Sequence, residues 1–290
     1  MNSSSVAASY GGLLAFGSDT RIVSGNGNIV LSNPGVVTGA WSVLTLDGTA
    51  PGSILAGSLS TGAVTKVGSC TWTLSGAGTY TGLTTVAVGT LKAGVASVAG
   101  VSGAFGKNSP VVLTNAAGVS LEITGYNTQI GGLSGGGASG GNVTLGAATL
   151  TVGADGSTAD YAGVISGTGG LTKTGAGTQT LSGGNNFGGD TAVSGGVLKL
   201  GVANALQGST LNYDNQGGTF SFGSFTAATI GGLKGAQNLA LVNDSAQNVA
   251  LTVGGNGLST TYSGVISGGG SLIKTGAGSL TLTGNNTYDG

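Results

Sequence analysis

The residues able to carry chemistry are few and far apart. Nine carboxylates occur in 290 residues, and Glu122 is the single glutamate. Asp155 and Asp160 are the closest useful pair. Cleaving a glycosidic bond by acid–base catalysis needs two carboxyl groups held a few ångströms apart in unlike environments. Asp47-Gly48 and Asp155-Gly156 instead fit turns, where aspartate bonds to its own backbone. Histidine is absent, which removes Ser-His-Asp and Cys-His nucleophile systems and the usual zinc ligand sets. Cys70 has no partner for a disulfide and reads as a small buried hydrophobe. The glycine runs Gly135 to Gly137 and Gly140-Gly141 lack the strand–GxxxxGK–helix context of a phosphate loop. Gly153 to Asp155 is too short for a calcium-binding repeat. No catalytic residue, metal ligand or cofactor site is expected.

Five lysines recur: Lys66, Lys173, Lys274, Lys92 and Lys199. They read as solvated edge residues that discourage stray strand pairing. A net charge of −1 offers no basic face to nucleic acid or anionic lipid. Asn185-Asn186 and Asn285-Asn286 read as turn residues that tolerate left-handed backbone. Tyr161 and Tyr262 match in position and, with Tyr80, Phe187 and Tyr288, are the recurring aromatics. They are candidates for stacking on sugars, with packing at corners the plainer reading.

The elements that would position these residues are short strands. Glycine contributes 63 residues, proline 3, and only 6% of the chain is charged. Glycine at this density weakens helices, at about 1 kcal/mol per interior position relative to alanine, and suits tight turns. Alternating runs separated by Gly or Asn mark half-buried strands. They fall at Thr71 to Leu74, Thr84 to Val88, Val111 to Leu113, Val119 to Ile123, Val143 to Leu145 and Thr149 to Val152. Uncharged stretches such as Ile123 to Ala154 are studded with Ser, Thr and Asn and do not read as membrane spans.

Internal repetition organises these strands. YAGVISGTGGLTKTGAGTQTLSGGNNFGG begins at Tyr161 and YSGVISGGGSLIKTGAGSLTLTGNNTYDG at Tyr262, with a diverged copy from Ile54. Lys66, Lys173 and Lys274 fall in register, as do Gly68, Gly175 and Gly276, and Leu74, Leu181 and Leu282. Three long repeats result, roughly 1–103, 104–203 and an incomplete 204–290. Tandem copies favour a solenoid, in which each coil buries its apolar edge on the next. We therefore expect an all-β fold, a single continuous right-handed, single-stranded parallel β-helix. Coils of roughly 20 residues would give about 14 turns and a rod of ~65–70 Å. In the diverged copy Trp72 replaces Gln179, an inward position by alternation, so the glutamine would need partners.

KTGAGTQTLSGGNNFGG at Lys173 and KTGAGSLTLTGNNTYDG at Lys274, with a weaker form at Lys66, resemble the autotransporter-associated β-strand repeat of bacterial surface proteins. VLKLG at Val197 and TLKAG at Thr90 resemble its closing phrase. The resemblance implies an extended β-helical passenger exported by a C-terminal barrel, and hence an extracellular or bacterial cell-surface location. No leader is legible in MNSSSVAASY, so an exported form would be a mature piece of something longer. The expected function is a non-enzymatic structural or adhesive stalk, with a carbohydrate-binding or polysaccharide-cleaving β-helix as the alternative. Expected partners are surface or host glycans and the chain itself. Ser4, Ser5 and Val6 resemble the start of the closing strand near Thr84, and Tyr288, Asp289 and Gly290 precede the point where the third copy would supply one. These six residues are the candidate head-to-tail assembly ends.

Overall fold

The computed structural model describes residues 2–50 and 52–290; Met1 and Pro51 lie outside them. The chain is all-β, with no helix among the described residues. Its strands pair only in parallel, building a β-solenoid of about 12 turns. Three ladders form the faces of the coil. The first has ten strands, from Thr20–Ser24 to Thr219–Ser221. The second has eight, from Ala8–Tyr10 to Ile165–Ser166. The third also has eight, from Thr128–Gln129 to Ser271–Lys274. Two short ladders, Leu239–Ala240 on Ile266–Ser267 and Thr260–Tyr262 on Leu280–Leu282, complete the last coils.

The alternating runs become strands at Thr71–Leu74, Thr84–Val86, Val111–Leu113, Ser120–Glu122, Asn142–Thr144 and Leu150–Val152. Inward positions carry Leu, Val and Ile, which stack from coil to coil into one apolar core, while outward positions carry Thr, Ser and Lys. Each in-register step repeats side-chain contacts made on the coil before, so burial is continuous along the axis.

Coil length is the main departure from the expected geometry. Paired residues advance by 19 positions from Thr71 to Thr90, but by 30 from Thr90 to Ser120. The longer coil leaves the ladder after Ala93 and folds into a small excursion, closed by antiparallel bridges between Val98 and Ser102 and between Gly78 and Gly103. Such excursions consume chain without adding turns, which reduces 14 expected turns to about 12 and the rod to ~58 Å at the usual strand spacing.

The repeats are not stacked directly over one another. Lys66 ends a first-face strand, whereas Lys173 and Lys274 end third-face strands. Between the first two copies the repeated block has therefore moved round the coil by one face.

Candidate functional site

The recurring lysines are not all solvated. Lys66 and Lys173 have no exposed surface. Lys66 Nζ donates to the carbonyls of Val67 at 2.8 Å, Gly68 at 2.7 Å and Val88 at 3.0 Å. Lys173 Nζ does the same to Thr174 at 2.6 Å, Gly175 at 3.0 Å and Gly195 at 3.1 Å. Two acceptors come from the turn that follows the lysine and the third from the next coil. The Lys-x-Gly spelling explains the cage. The glycine adopts left-handed φ, +75° at Gly68 and +70° at Gly175, and this turn presents two successive carbonyls to the ammonium. Burial pushes both lysines down from their ordinary pKa, with Cys70 and Asp47 acting against it at Lys66 and Asp155 at Lys173. The three carbonyls, which accept only from a protonated amine at full strength, favour the charged form. Lys274 repeats the bonds to Thr275 and Gly276 and is exposed. The edge role fits Lys92 and Lys199 better: both are outward and ion-paired, to Glu122 at 2.7 Å and Asp244 at 2.6 Å.

Other buried polar groups also tie coils together. Gln179 accepts from Leu133 N at 3.1 Å and donates to Leu133 O at 2.8 Å, across two coils. The strands Leu133–Gly135 and Ala159–Tyr161 pair only at Gly135 and Tyr161, so the glutamine amide stands in for the missing peptide contact. At the matching position Trp72 is fully buried and donates from Nε1 to Asp47 O at 3.0 Å. Asn185 is buried rather than a left-handed turn residue. It accepts from Ile165 N at 2.8 Å on the coil before and donates to Ala205 O at 3.1 Å on the coil after. Asn286 accepts from Ile266 N in the same way.

The carboxylates serve separate local tasks. Asp155 accepts from Gly132 N and Ser157, and Asp160 from Ser182. Asp47 is not a turn residue but the buried penultimate residue of a strand, ion-paired to Arg21. Burial opposes its ionisation, but the bonds from Arg21 and Gly48 prevail and hold its pKa low. Cys70 is buried, with Ser24 Oγ 3.6 Å away. Among the described residues no group of three or more His, Cys, Asp or Glu is placed to hold a metal. Tyr80, Tyr161, Phe187 and Tyr262 are buried in the core, so they pack and do not face a sugar; Tyr288 lies partly buried against the same core.

Ser4, Ser5 and Val6 lie exposed in a bend, and the first strand begins at Ala8; Thr84–Val86, which they resemble, is a strand. Asp289 and Gly290 are exposed at the opposite end of the coil stack.

One surface feature went unread in the sequence. Trp41 is 94% exposed and has φ of +71°. It sits where Gly39 pairs Thr61 and Val43 pairs Ala63, so two extra residues bulge from the Val36–Gly48 strand. The alternation changes phase across the bulge: buried positions fall at Val37 and Gly39 before it but at Ser42, Leu44 and Leu46 after it. Beside the indole lies an open groove of about 540 Å³ lined by Ser60, Thr61, Gly62, Thr79 and Thr81, among others, with no charged side chain.

Residues 64–93, 171–200 and 272–290 match the passenger-associated-transport-repeat family. These spans contain the three Lys-x-Gly turns. The chain is 42% identical over 165 residues to the adhesin BmaC autotransporter of Brucella suis biovar 1 (strain 1330), covering 56% of this chain and 4% of that protein. No solved structure matches. The chain is thus a parallel β-solenoid with three segments that match the passenger-associated-transport repeat, and it resembles an autotransporter passenger over part of its length.

Proposed function

We propose that this chain is a non-enzymatic, extracellular segment of a passenger stalk, holding an adhesive surface away from the bacterial cell. The observation that carries this is the use of its interior polar side chains. Lys66, Lys173, Gln179 and Asn185 each bond the backbone of the coil stack, so they are committed to the rod and not to a reacting centre. Similarity to a protein named as an adhesin autotransporter supports the location and the adhesive role. The polysaccharide-cleaving alternative would have to rest on Asp155 and Asp160, and each of these is engaged by its own neighbours.

The test is display of the chain on a non-adherent bacterium, fused to a translocator barrel, with attachment to cultured epithelial cells measured. Surface exposure to added protease together with attachment above the barrel alone is the expected result. Exposure without added attachment overturns the adhesive part; failure to reach the surface overturns the passenger reading. A finer form of the proposal is head-to-tail association through the Ser4–Val6 and Tyr288–Gly290 ends, where open coils expose unpaired N–H and C=O groups. Electron microscopy across a concentration series distinguishes fibres from isolated short rods, and fibres should disappear when residues 1–8 are deleted.

A further inference from the structure

We propose that Trp41 and the groove beside it bind a neutral saccharide. The inference deepens the adhesive reading and rests on it for biological meaning, but its chemistry stands on the groove. A bulky side chain at φ of +71° is a conformational outlier, and such strain gathers at ligand sites. Trp41 gains little in return from the free protein, because the residue is 94% exposed. The bulge that carries it is held in place. Val43 N donates to Asp19 Oδ1 at 2.8 Å on one side. On the other, Gly62 backs directly onto the Trp41 main chain, where an added Cβ would come within 2.7 Å of its carbonyl carbon. Bulges re-aim a side chain out of a ladder, and here the result is an exposed aromatic side chain on a fixed backbone at the rim of an uncharged groove.

The lining selects the ligand class. A pyranose presents a C–H face that packs on an indole and a rim of hydroxyls that exchange hydrogen bonds with other hydroxyls. Ser60, Thr79 and Thr81 supply neutral hydroxyls along the groove. Thr61 also borders the groove, but its Oγ1 is buried and unpartnered inside the coil and offers a ligand no hydrogen bond. With no lysine, arginine or carboxylate in the lining, nothing offsets the charge of an acidic sugar or selects for an anionic peptide.

The test is titration of the full chain with cellotetraose, maltotetraose and chitotetraose, with heparin as the anionic comparison. Tryptophan emission is the readout, since Trp72 is fully buried and solvent-sensitive changes report on Trp41. At least one neutral tetrasaccharide should shift the emission saturably. Binding followed by calorimetry should fall at least tenfold in Trp41→Ala, with thermal unfolding of the variant unchanged. Thr79→Val should weaken binding and keep the same ranking of sugars. The proposal is overturned by absence of binding to all three sugars, by equal binding to Trp41→Ala, by preference for heparin, or by a Trp41-dependent dimer in sedimentation. Cell attachment by the displayed Trp41→Ala chain separates the two readings. Attachment that persists while sugar binding is absent in the unaltered chain removes the groove proposal and leaves the adhesive stalk standing.

Discussion

Replacing Lys173 with methionine isolates what the buried ammonium does for the stack. Methionine keeps most of the apolar stem and removes every donor, leaving the carbonyls of Thr174, Gly175 and Gly195 without the bonds they now receive. An unsatisfied buried acceptor costs about 1–3 kcal/mol. Relief of the ammonium's own desolvation returns part of that, and a net loss of about 2–4 kcal/mol follows. Lys199→Met is the control. Its Nζ lies 2.6 Å from Asp244 Oδ2, but the two side chains are 39% and 42% exposed, and pairs of that kind are worth about 0–1 kcal/mol. Equilibrium unfolding in urea, with both variants compared with the unaltered chain at neutral pH, reads the difference. A Lys173→Met midpoint within about 0.5 kcal/mol of the unaltered chain, or no lower than that of Lys199→Met, would refute the cage argument.

Further outcomes follow from the same stack. Gln179→Leu should destabilise by about 2–3 kcal/mol, and Gln179→Glu by at least as much, since a carboxylate cannot donate to Leu133 O; thermal melts giving Gln179→Glu native stability would contradict the peptide-surrogate role. Burial pushes the Tyr80, Tyr161 and Tyr262 hydroxyls above their ordinary pKa of 10.0. Raised folded pKa values keep stability intact below pH 10 and remove it above, because the unfolded chain loses those protons first. Each tyrosine contributes up to about 1.4 kcal/mol per pH unit in that range. Tyr161→Phe should reduce the slope of stability against pH above 10.5 by about that amount, and an unchanged slope would contradict it. Asn185→Ala should open exchange of the Ile165 amide more than of the Leu171 amide, as read by hydrogen exchange, because only Ile165 N relies on Asn185 Oδ1.

What the sequence made legible was what local periodicity controls. Strands such as Thr71–Leu74 and Val111–Leu113 follow from two-residue alternation, and the solenoid follows from tandem copies. The inward place of Gln179 was also readable, and the structure supplies the partners it required. Lys66 and Lys173 were misread as edge residues because their third acceptors, Val88 and Gly195, sit one coil away, 22 residues along the chain. Asn185 was misread for the same reason: its two bonds reach 20 residues back and 20 forward. In a solenoid the energetics of a polar residue are set by the neighbouring coil, and a window of a few residues does not contain it. Trp41 escaped notice because its signal is a change of phase between Gly39 and Ser42, which shows only when the burial on both sides is compared.

The cages, the glutamine bridge and the groove all depend on coils stacked in register, and a pair of engineered cysteines measures that register directly. Thr172 pairs with Ala192 on the third face, both outward and half-buried. Strand neighbours in register sit about 4.8 Å apart, within reach of a disulfide. The Thr172→Cys, Ala192→Cys chain should close a disulfide under mild oxidation, while Thr172→Cys, Ser194→Cys, displaced two residues along the neighbouring coil, should not. Equal closure in both chains, or closure only in the displaced pair, would contradict the register and with it the cages, the glutamine bridge and the groove beside Trp41.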